Sequence, residues 1–299
     1  MPTISILVPN YNHSKYLVER LESIFNQTYQ DFEVILLDDC STDESWSIIL
    51  TYANHPKVTH IERNEQNSGS PFGLWEKGFS ISKGEYIWIA ESDDVAALDF
   101  LEGLIAICVS KDIVLAHCRS NEFIDDINYS KKNNWLDDLN QGFQDIDYLE
   151  DGQLLLKKIG RFKCPVLNVS AAIFRKDMIK DVRLPKSYRY AGDWYFWAQI
   201  FMKGKVTYLE EPRNYFRIHN GSATSSKNSN NWLKLIEYIK VASVISRSVN
   251  EKFTFDTNYN WLLLYWKKAI AKEKSLGIYY SLKYLPLSFI IQIYKVKFK

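Results

Sequence analysis

The sequence predicts an α/β fold in which a mostly parallel sheet is flanked by helices and followed by a helical C-terminal extension. Three observations lead to this prediction. Over the first 118 residues, short apolar runs alternate with segments whose apolar residues recur at helical spacing, as in strands joined by helical crossovers. The runs are almost continuously apolar, as expected of strands buried on both faces. After about residue 231 only helical spacing remains.

Each element of the first part has its own local signal. Apolar runs predict strands at ISILV (4–8), FEVILL (32–37), KVTHIE (57–62), EYIWIA (85–90) and DIVLAHC (112–118). Helical spacing predicts helices at 16–25, 46–53, 72–82 and 98–109. Pro9 and Asn10 are expected to end the first strand. These elements form one sheet if the crossovers are right-handed, as they almost always are.

The second part is less regular. We expect loops and short helices at 119–170, a strand and a helix start at 168–179, a helix opened by Asp193 at 192–204, and two short strands with a loop at 205–225. The Ser- and Asn-rich stretch 222–231 is the best boundary candidate. The predicted units are therefore 1–225, with halves at about 1–118 and 119–225, and a helical extension at 226–299.

Composition excludes several classes of protein. Hydrophobic residues make up 46% of the 299 residues and aromatic residues 15%, which favours a packed core over disorder. The formal net charge of +1 gives no reason to expect nucleic acid as a partner. The four cysteines form no C-x-x-C pair, which favours reduced thiols in a cytoplasmic protein. Neither a signal peptide nor a run of about 20 apolar residues is recognisable.

Two of the predicted strands end in pairs of carboxylates, Asp38–Asp39 and Asp93–Asp94. Either pair could cap the helix that follows, because aspartate is favoured there. Carboxyl ends of parallel strands meet at one edge, however, where doublets of this kind are expected to share a ligand crevice. Carboxylates suit Mg²⁺ or Mn²⁺ bridging to phosphates. The sequence lacks the P-loop and G-x-G-x-x-G motifs, which excludes those two kinds of phosphate site.

At this point the motifs resemble a known family. The opening ISILVPNYNHSKYLVERLESIFNQTYQDFEVILLDDCSTDES is similar to that of family 2 glycosyltransferases, which are inverting enzymes of the GT-A (Rossmann-like) fold, many of them in bacterial surface-polysaccharide pathways. GEYIWIAESDD resembles their D-x-D region, GDWYFWAQI their acceptor-side acidic motif, and YFRIHNGSAT a later Arg-x-His segment. The resemblance covers about 1–95 and 168–225 and is absent after about 230.

The resemblance implies a nucleotide-sugar donor, with a UDP-sugar expected, bound by the first half. Tyr11 and Pro9 would line the base pocket, although Tyr11 could also be an ordinary loop aromatic. Asp39 would accept a hydrogen bond from the base, and Asp38 would orient it or contact the ribose. Arg217 would hold phosphate; its alternative is a surface ion pair with Glu210 or Glu211.

The resemblance also implies a metal and a base. Asp93 would contact the ribose and a Mn²⁺ or Mg²⁺ ion, Asp94 would bind that ion, and His219 is either a metal or phosphate contact or a structural hydrogen-bonding group. Asp193 would be the general base that deprotonates the acceptor, with helix capping as the alternative. Trp194 and Trp197 would form a sugar-stacking platform or, as aromatics at helical spacing usually do, pack in the core.

Two departures from the family pattern affect these expectations. Glu91 stands where an aspartate is usual, and an arginine expected between Gly69 and Gly78 is replaced by a segment containing Trp75 and Glu76. Lys77 is the substitute cation that the sequence offers.

The C-terminal stretch 282–299 combines aromatic and aliphatic residues with lysines. It is compatible with peripheral contact at the inner face of a membrane, which would suit a lipid-linked glycan acceptor, and equally with packing on the catalytic unit or a homodimer contact.

The alternatives to a glycosyltransferase are a sugar-nucleotide-forming nucleotidyltransferase and a non-catalytic nucleotide-sugar or glycan-binding protein. The first needs a G-x-G-x-R loop after strand one, which the sequence lacks, and the second needs neither Asp193 nor both Asp93 and Asp94.

Overall fold

A computed structural model describes residues 2–111, 113–124, 129–132, 135–139, 143–219, 230–272 and 285–291. Within these residues the strands are β1 (Ile4–Asn10), β2 (Phe32–Asp38), β3 (Val58–Arg63), β4 (Tyr86–Ile89), β5 (Val95–Ala96), β6 (Ile113–Ile124), β7 (Tyr129–Lys132), β8 (Tyr148–Asp151), β9 (Ala172–Arg175) and β10 (Lys205–Arg217). The α-helices are α1 (Ser14–Phe25), α2 (Ser45–Thr51), α3 (Pro71–Ile81), α4 (Phe100–Lys111), α5 (Gly152–Leu155), α6 (Gly192–Phe201), α7 (Asn231–Ser248) and α8 (Asn260–Lys272). A further short helix lies at 287–291.

All the strands of the described residues belong to one sheet, whose order is β3-β2-β1-β4-β9-β6-β10-β5, with β7 beside β6 and β8 beside β10. β3, β2, β1 and β4 pair in parallel. β6 pairs in parallel with β10, and β9 runs antiparallel between β4 and β6. Six strands therefore share one direction, which confirms the predicted mostly parallel α/β sheet, and their carboxyl ends lie along one edge.

β1 extends two residues further than the predicted end at Val8. Pro9 pairs with Leu37 of β2 and stays inside the strand. Asp39 N–H donates to the Asn10 carbonyl at 2.9 Å, so the backbone N–H and C=O of Asn10 point toward β2. The backbone groups of the preceding residue, Pro9, therefore point toward β4. On that side the pairing with β4 has ended at Leu7. The missing proline N–H therefore costs no ladder hydrogen bond, which is why this strand tolerates proline.

The two short strands predicted at 205–225 are a single strand in the structure, β10. Its pairing with β6 shifts register around Pro212, where the strand bulges. The prediction of two strands was wrong because a proline usually ends a strand. Here the bulge accommodates Pro212, so the strand continues past it. Beyond Arg217, residues 220–229 are outside the described part of the chain.

Side chains on the two faces of the sheet enter two different cores. On β1 and β2, residues such as Ile6 and Leu36 pack under α1 and α4, while Leu7 and Ile35 join the opposite cluster with α3 and α6. Burial of both faces explains why these strands are apolar runs without alternation.

The C-terminal helices pack on the α3–α6 face, where Leu235 of α7 and Leu262 of α8 are completely buried. Leu285 and Phe289 reach the same cluster. The predicted division at residue 225 falls outside the described residues and stays a prediction. Most of the tail at 282–299 also lies outside them. None of the described helices is both long and apolar enough to cross a membrane.

Candidate active site

The two aspartate doublets lie at the same edge of the sheet, at the ends of β2 and β4. β1 stands between these strands, so the doublets are two strand positions, or roughly 10 Å, apart. They share the edge as predicted, but the intervening strand separates them into two neighbouring subsites. This separation is compatible with the expectation that Asp38 and Asp39 serve the base and ribose while Asp93 and Asp94 lie at the metal, which stays a prediction.

In the first subsite, Asp38 and Asp39 are buried and hydrogen-bonded. Asp38 accepts hydrogen bonds from Asn10 Nδ2 at 2.8 Å and from Ser41 N at 2.9 Å, and its Oδ2 is 3.3 Å from Arg63 Nε. This network ties the ends of β1, β2 and β3 together, so Asp38 has a supporting position.

Asp39 makes its contacts with the segment after β3. It accepts hydrogen bonds from Asn64 Nδ2 at 2.6 Å and from Ser68 Oγ at 2.8 Å. The side chain of Tyr11, just past β1, is 42% exposed, whereas Pro9 is buried. Lys77 hydrogen-bonds Asn64 and Glu62, so the substitute cation predicted for the missing arginine is directed toward β3.

The second subsite contains a cluster of metal-binding residue types. His13, Asp93 and His219 each offer one ligand atom, and these atoms lie within 4.8 Å of one another. His219 Nε2 is 3.0 Å from Asp93 Oδ2, and His13 Nε2 is 4.0 Å from the same oxygen. His13 Nδ1 contacts Ser92 Oγ at 2.8 Å, which orients that ring. The cluster joins the loop after β1, the loop after β4 and the segment after β10.

The charges in the cluster affect one another. Burial raises the pKa of Asp93, but the hydrogen bond to His219 and the charges of His13 and His219 together lower it below the ordinary value. Burial lowers the pKa of His13, while Asp93 raises it. The lowered pKa values of both groups favour a neutral His13 imidazole and an ionised Asp93 carboxylate, the forms in which these side chains bind a metal ion.

Asp94 lies behind this cluster, outside the set of ligand atoms that the described residues bring together. It accepts hydrogen bonds from Asn168 Nδ2 at 2.7 Å and from Arg217 N at 3.2 Å. Burial and the Asp93 carboxylate raise the pKa of Asp94 to about 7. The predicted metal contact of Asp94 is thus not part of this geometry, because its oxygens face β10 and the turn before β9.

Arg217 is also directed at the loop after β4. Its Nε donates to the Asp93 carbonyl at 2.7 Å, and its guanidinium pairs with Glu19 and lies 4.8 Å from the ring centroid of Tyr16. The pairing partner is Glu19 of α1, in place of the Glu210 or Glu211 considered from sequence. The residue is 2% exposed, so in this arrangement it braces the loop after β4.

A buried cation, Arg20, accompanies the acidic loop. The residue is completely buried, its guanidinium lies 4.7 Å from the ring centroid of Trp88, and its nitrogen atoms have no hydrogen-bond partner within the described residues. Burial lowers the pKa of Arg20 to about 10, and the charges of Asp94, Asp93 and Glu91 oppose that shift. Burial, with Asp93 and Asp94, raises the pKa of Glu91 to about 8. Arg20 therefore supplies positive charge beneath three crowded carboxyl groups.

Asp193 lies at the start of α6, on the side of the sheet that carries α3. Its Oδ1 accepts the N–H of the adjacent Trp194 at 2.8 Å. The N-cap of α6 is Ala191 and no side chain caps the helix, so the expectation that Asp193 opens or caps this helix is wrong. Burial raises the pKa of Asp193 to about 6, and the charge of Glu237 adds to the rise. The α6 helix packs on α3 through Trp75, whose ring lies 5.4 Å from that of Phe196. The indole of Trp75 also opposes the rise in the pKa of Glu91, so α3 links the start of α6 to the acidic loop.

Trp194 and Trp197 are core residues. They are 3% and 1% exposed, and Trp194 Nε1 donates to the Gly160 carbonyl at 2.7 Å. Trp197 packs against Phe174 of β9. This corrects the expectation of an exposed sugar-stacking platform, because both rings are enclosed by the protein.

Sequence reasoning missed several residues of this region. His13 had a usable signal, since it follows β1 at the edge where ligands bind. Arg20 also had one, because it occupies the buried helical face formed by Leu17, Leu21 and Ile24. No sequence signal identifies Asn168 or Glu237, because both reach this region through contacts between distant parts of the chain.

Comparisons with known proteins identify a matching family and a shared fold. The family described as "Glycosyl transferase family 2" matches residues 5–183. Glycosyltransferase GlyG of Streptococcus pneumoniae serotype 4 is 27% identical over 259 residues, covering 83% of this chain and 80% of the relative. A GalNAc(5)-diNAcBac-PP-undecaprenol beta-1,3-glucosyltransferase of Campylobacter jejuni is 23% identical over 285 residues, covering 94% of this chain and 83% of the relative.

The solved structure of S. aureus TarS 1-349 in complex with UDP-GlcNAc is similar with a TM-score of 0.66 at 20% identity, over 95% of this chain and 76% of that one. At this identity the likeness shows the fold, which is GT-A. The resemblance read from the motifs is confirmed by the match to the family, which covers both aspartate doublets. The chain belongs to glycosyl transferase family 2 and is an enzyme of sugar transfer.

Proposed function

We propose that the enzyme transfers a sugar with inversion from a nucleoside-diphosphate sugar to a hydroxyl of a glycan or lipid-linked acceptor, using a divalent metal and Asp193 as general base. The observation that carries the proposal is the cluster of His13, Asp93 and His219 at the carboxyl edge of the sheet. That edge is where doubly wound sheets bind nucleotides.

The donor set fits a divalent ion. Ligands at about 2.1 Å from an octahedral ion and at right angles to each other are about 3 Å apart, close to the 3.0 Å between His219 Nε2 and Asp93 Oδ2. Two imidazoles beside one carboxylate favour Mn²⁺ over Mg²⁺, because Mg²⁺ prefers oxygen ligands alone. When bound, the ion would supply positive charge next to the departing diphosphate.

The chain's own residues supply the remaining steps. Asp38 and Asp39 stabilise the loops that would hold the base and ribose, with Tyr11 as the exposed ring available for stacking on the base. Arg217 keeps the loop of Asp93 in place. The acceptor oxygen then attacks the anomeric carbon, the bond from that carbon to the diphosphate oxygen breaks, and the acceptor proton passes to an Asp193 carboxylate oxygen.

Inversion follows from the use of a single base without a covalent sugar intermediate. Asp193 suits the role because burial raises its pKa to about 6, which keeps it ionised at neutral pH yet makes it a stronger base than an exposed aspartate.

The donor and acceptor classes are suggested by similar proteins. One of the similar TarS structures contains UDP-GlcNAc, and the name of the Campylobacter relative specifies an undecaprenol-linked acceptor. We therefore propose a UDP-sugar donor and a lipid-linked or polymeric glycan acceptor in surface-polysaccharide synthesis. Action at the cytoplasmic face of the membrane would suit such an acceptor, with residues 282–299 as the contact.

The test is a thermal-shift screen of nucleotide sugars with and without Mn²⁺, followed by Mn²⁺ titration of two histidine variants. His13→Ala should lose Mn²⁺-dependent stabilisation by UDP. His60→Ala is the matched control, because His60 is a partly exposed imidazole on β3 that pairs with Glu62. Equal Mn²⁺ responses in both variants and the wild type would remove the proposed metal site.

A further inference from the structure

Helix α7, the first helix of the C-terminal extension, contacts the loop that leads into α6. Glu237 of α7 is 4% exposed, and its carboxylate accepts three backbone hydrogen bonds. The donors are Arg189 N at 3.0 Å, Tyr190 N at 2.7 Å and Ala191 N at 3.1 Å. These are three consecutive amides, and they end two residues before Asp193.

We propose that Glu237 is a positioning residue for sugar transfer, whose carboxylate fixes the backbone at 189–191 and thereby sets the place of Asp193. The inference rests on the proposed role of Asp193 as general base. The proposed role gives the helical extension a function in catalysis, although the extension lies outside residues 5–183 that match the family.

The arrangement differs from an ordinary surface cap. Consecutive amides that converge on one carboxylate form an anion-binding concavity, and here the anion comes from a helix more than 40 positions along the chain. Hydrogen bonds to a charged group are roughly twice as strong as those between neutral groups. The loop therefore has little freedom to place Asp193 elsewhere while α7 is docked.

Other residues on the same face of α7 strengthen the contact. Asn230 N donates to Tyr190 Oη at 3.0 Å, and Lys234 Nζ lies 5.0 Å from the centroid of the Tyr190 ring. Tyr238 packs against Trp194 with ring centroids 6.3 Å apart. Asn230 is the N-cap of α7, and positions 234, 237 and 238 follow at helical spacing, so the start and one stripe of the helix hold the segment on both sides of Asp193.

Glu237 affects Asp193 in a second way, because its negative charge changes the pKa of the Asp193 carboxyl. Within the described residues, the charge of the Asp193 carboxyl interacts with Glu237 and Tyr238 of α7 and with the buried thiol of Cys164. After burial, which is the largest cause, the negative charge of Glu237 raises the pKa of Asp193. Removal of that charge should shift the acidic limb of the rate profile to lower pH, an effect that a purely structural contact would not produce.

The experiment compares Glu237→Gln and Glu237→Asp with the wild type. The assay is release of nucleoside diphosphate from the nucleotide sugar that gives the largest thermal shift. Glu237→Gln should lower kcat by about 10- to 100-fold with an unchanged KM for the donor, because small misplacements of a reacting group have costs of this size. The acidic limb of the dependence of kcat on pH should move to lower pH in Glu237→Gln. Glu237→Asp keeps the charge on a shorter side chain, so kcat should fall with little movement of the limb.

Ile245→Ala is the matched control for lost stability, since Ile245 is a buried residue of α7 two turns beyond Glu237. It should lower Tm and leave both kcat and the pH profile unchanged. If Asp193→Asn is inactive while Glu237→Gln matches the wild type in kcat and pH profile, the positioning role is overturned and the proposed function stands. If Asp193→Asn retains full activity, the base assignment fails and the inference fails with it. Should Glu237→Gln not fold, a wild-type kcat in Glu237→Asp would overturn the positioning role.

Discussion

The β1–β4 half of the sheet and the half built on β6, β9 and β10 differ in how they are assembled. In the first, β1, β2, β3 and β4 follow one another along the chain with a helix between each, and all pairs are parallel. In the second, β9 begins at Ala172, long after β6 has ended at Ile124, yet it enters between β4 and β6 and runs antiparallel to both. The first half supplies the residues proposed to bind the nucleotide, and the second supplies residues that contact and support them.

This difference has a functional consequence, because the candidate metal site needs both halves. His13 and Asp93 come from loops of the first half, whereas His219 follows β10. Asp94 is likewise held by Asn168 and by the backbone of Arg217. Donor binding should therefore depend on both halves, while the proton-transfer step should depend on the second half and α7.

The largest expected effect separates these two steps. Asp193→Asn should lower kcat for transfer about 10³-fold, within the range that general bases contribute, and should leave donor binding unchanged. Single-turnover kinetics and calorimetric titration with UDP and Mn²⁺ measure the two quantities. Loss of UDP binding in this variant would instead assign a structural role to Asp193.

Substitution of Arg20 tests the contribution of the β1–β4 half of the sheet. Arg20→Met should destabilise the fold by about 3 kcal/mol, because it leaves Glu91, Asp93 and Asp94 without their buried cation. Chemical denaturation at neutral pH measures the change. Arg20→Lys, which keeps the charge, is the matched control and should lose less. A methionine variant as stable as the wild type would show that the acidic loop does not need this charge.

Substitution of the two histidines tests whether the two halves of the sheet bind the metal together. His219→Ala and His13→Ala should each weaken Mn²⁺ binding at least about tenfold, the lower end of the effect of losing even a supporting group. Electron paramagnetic resonance titration of free Mn²⁺ gives the affinity directly. If only one substitution weakens binding, the ion is held by one half of the sheet and the other half is not needed for it.

The smallest expected effect is on pH dependence. Burial raises the pKa of Asp193 to about 6, so the base is ionised and active above that pH and protonated below it. The value of kcat should therefore fall about tenfold for each pH unit below 6, with no fall between pH 7 and 8. Rates in overlapping buffers test this, after confirming by circular dichroism that the fold persists. A flat profile down to pH 5 would exclude Asp193 as the base.

The sequence by itself determined the α/β class, the early strands and helices, and the edge at which Asp38, Asp39, Asp93 and Asp94 lie. These follow from local periodicity and from the rule that parallel strands end at one edge. The motif resemblance extended this to the family, since specific residue types recur at those strand ends.

Only the tertiary structure decided which side chains meet. β1 separates the two doublets, the turn before β9 brings Asn168 to Asp94, and α7 brings Glu237 to the loop before Asp193. It also buried Trp194 and Trp197, which sequence left undecided between platform and core. The physical reason is that these contacts join residues far apart in the chain, and their geometry depends on strand order and helix packing, which no local pattern encodes.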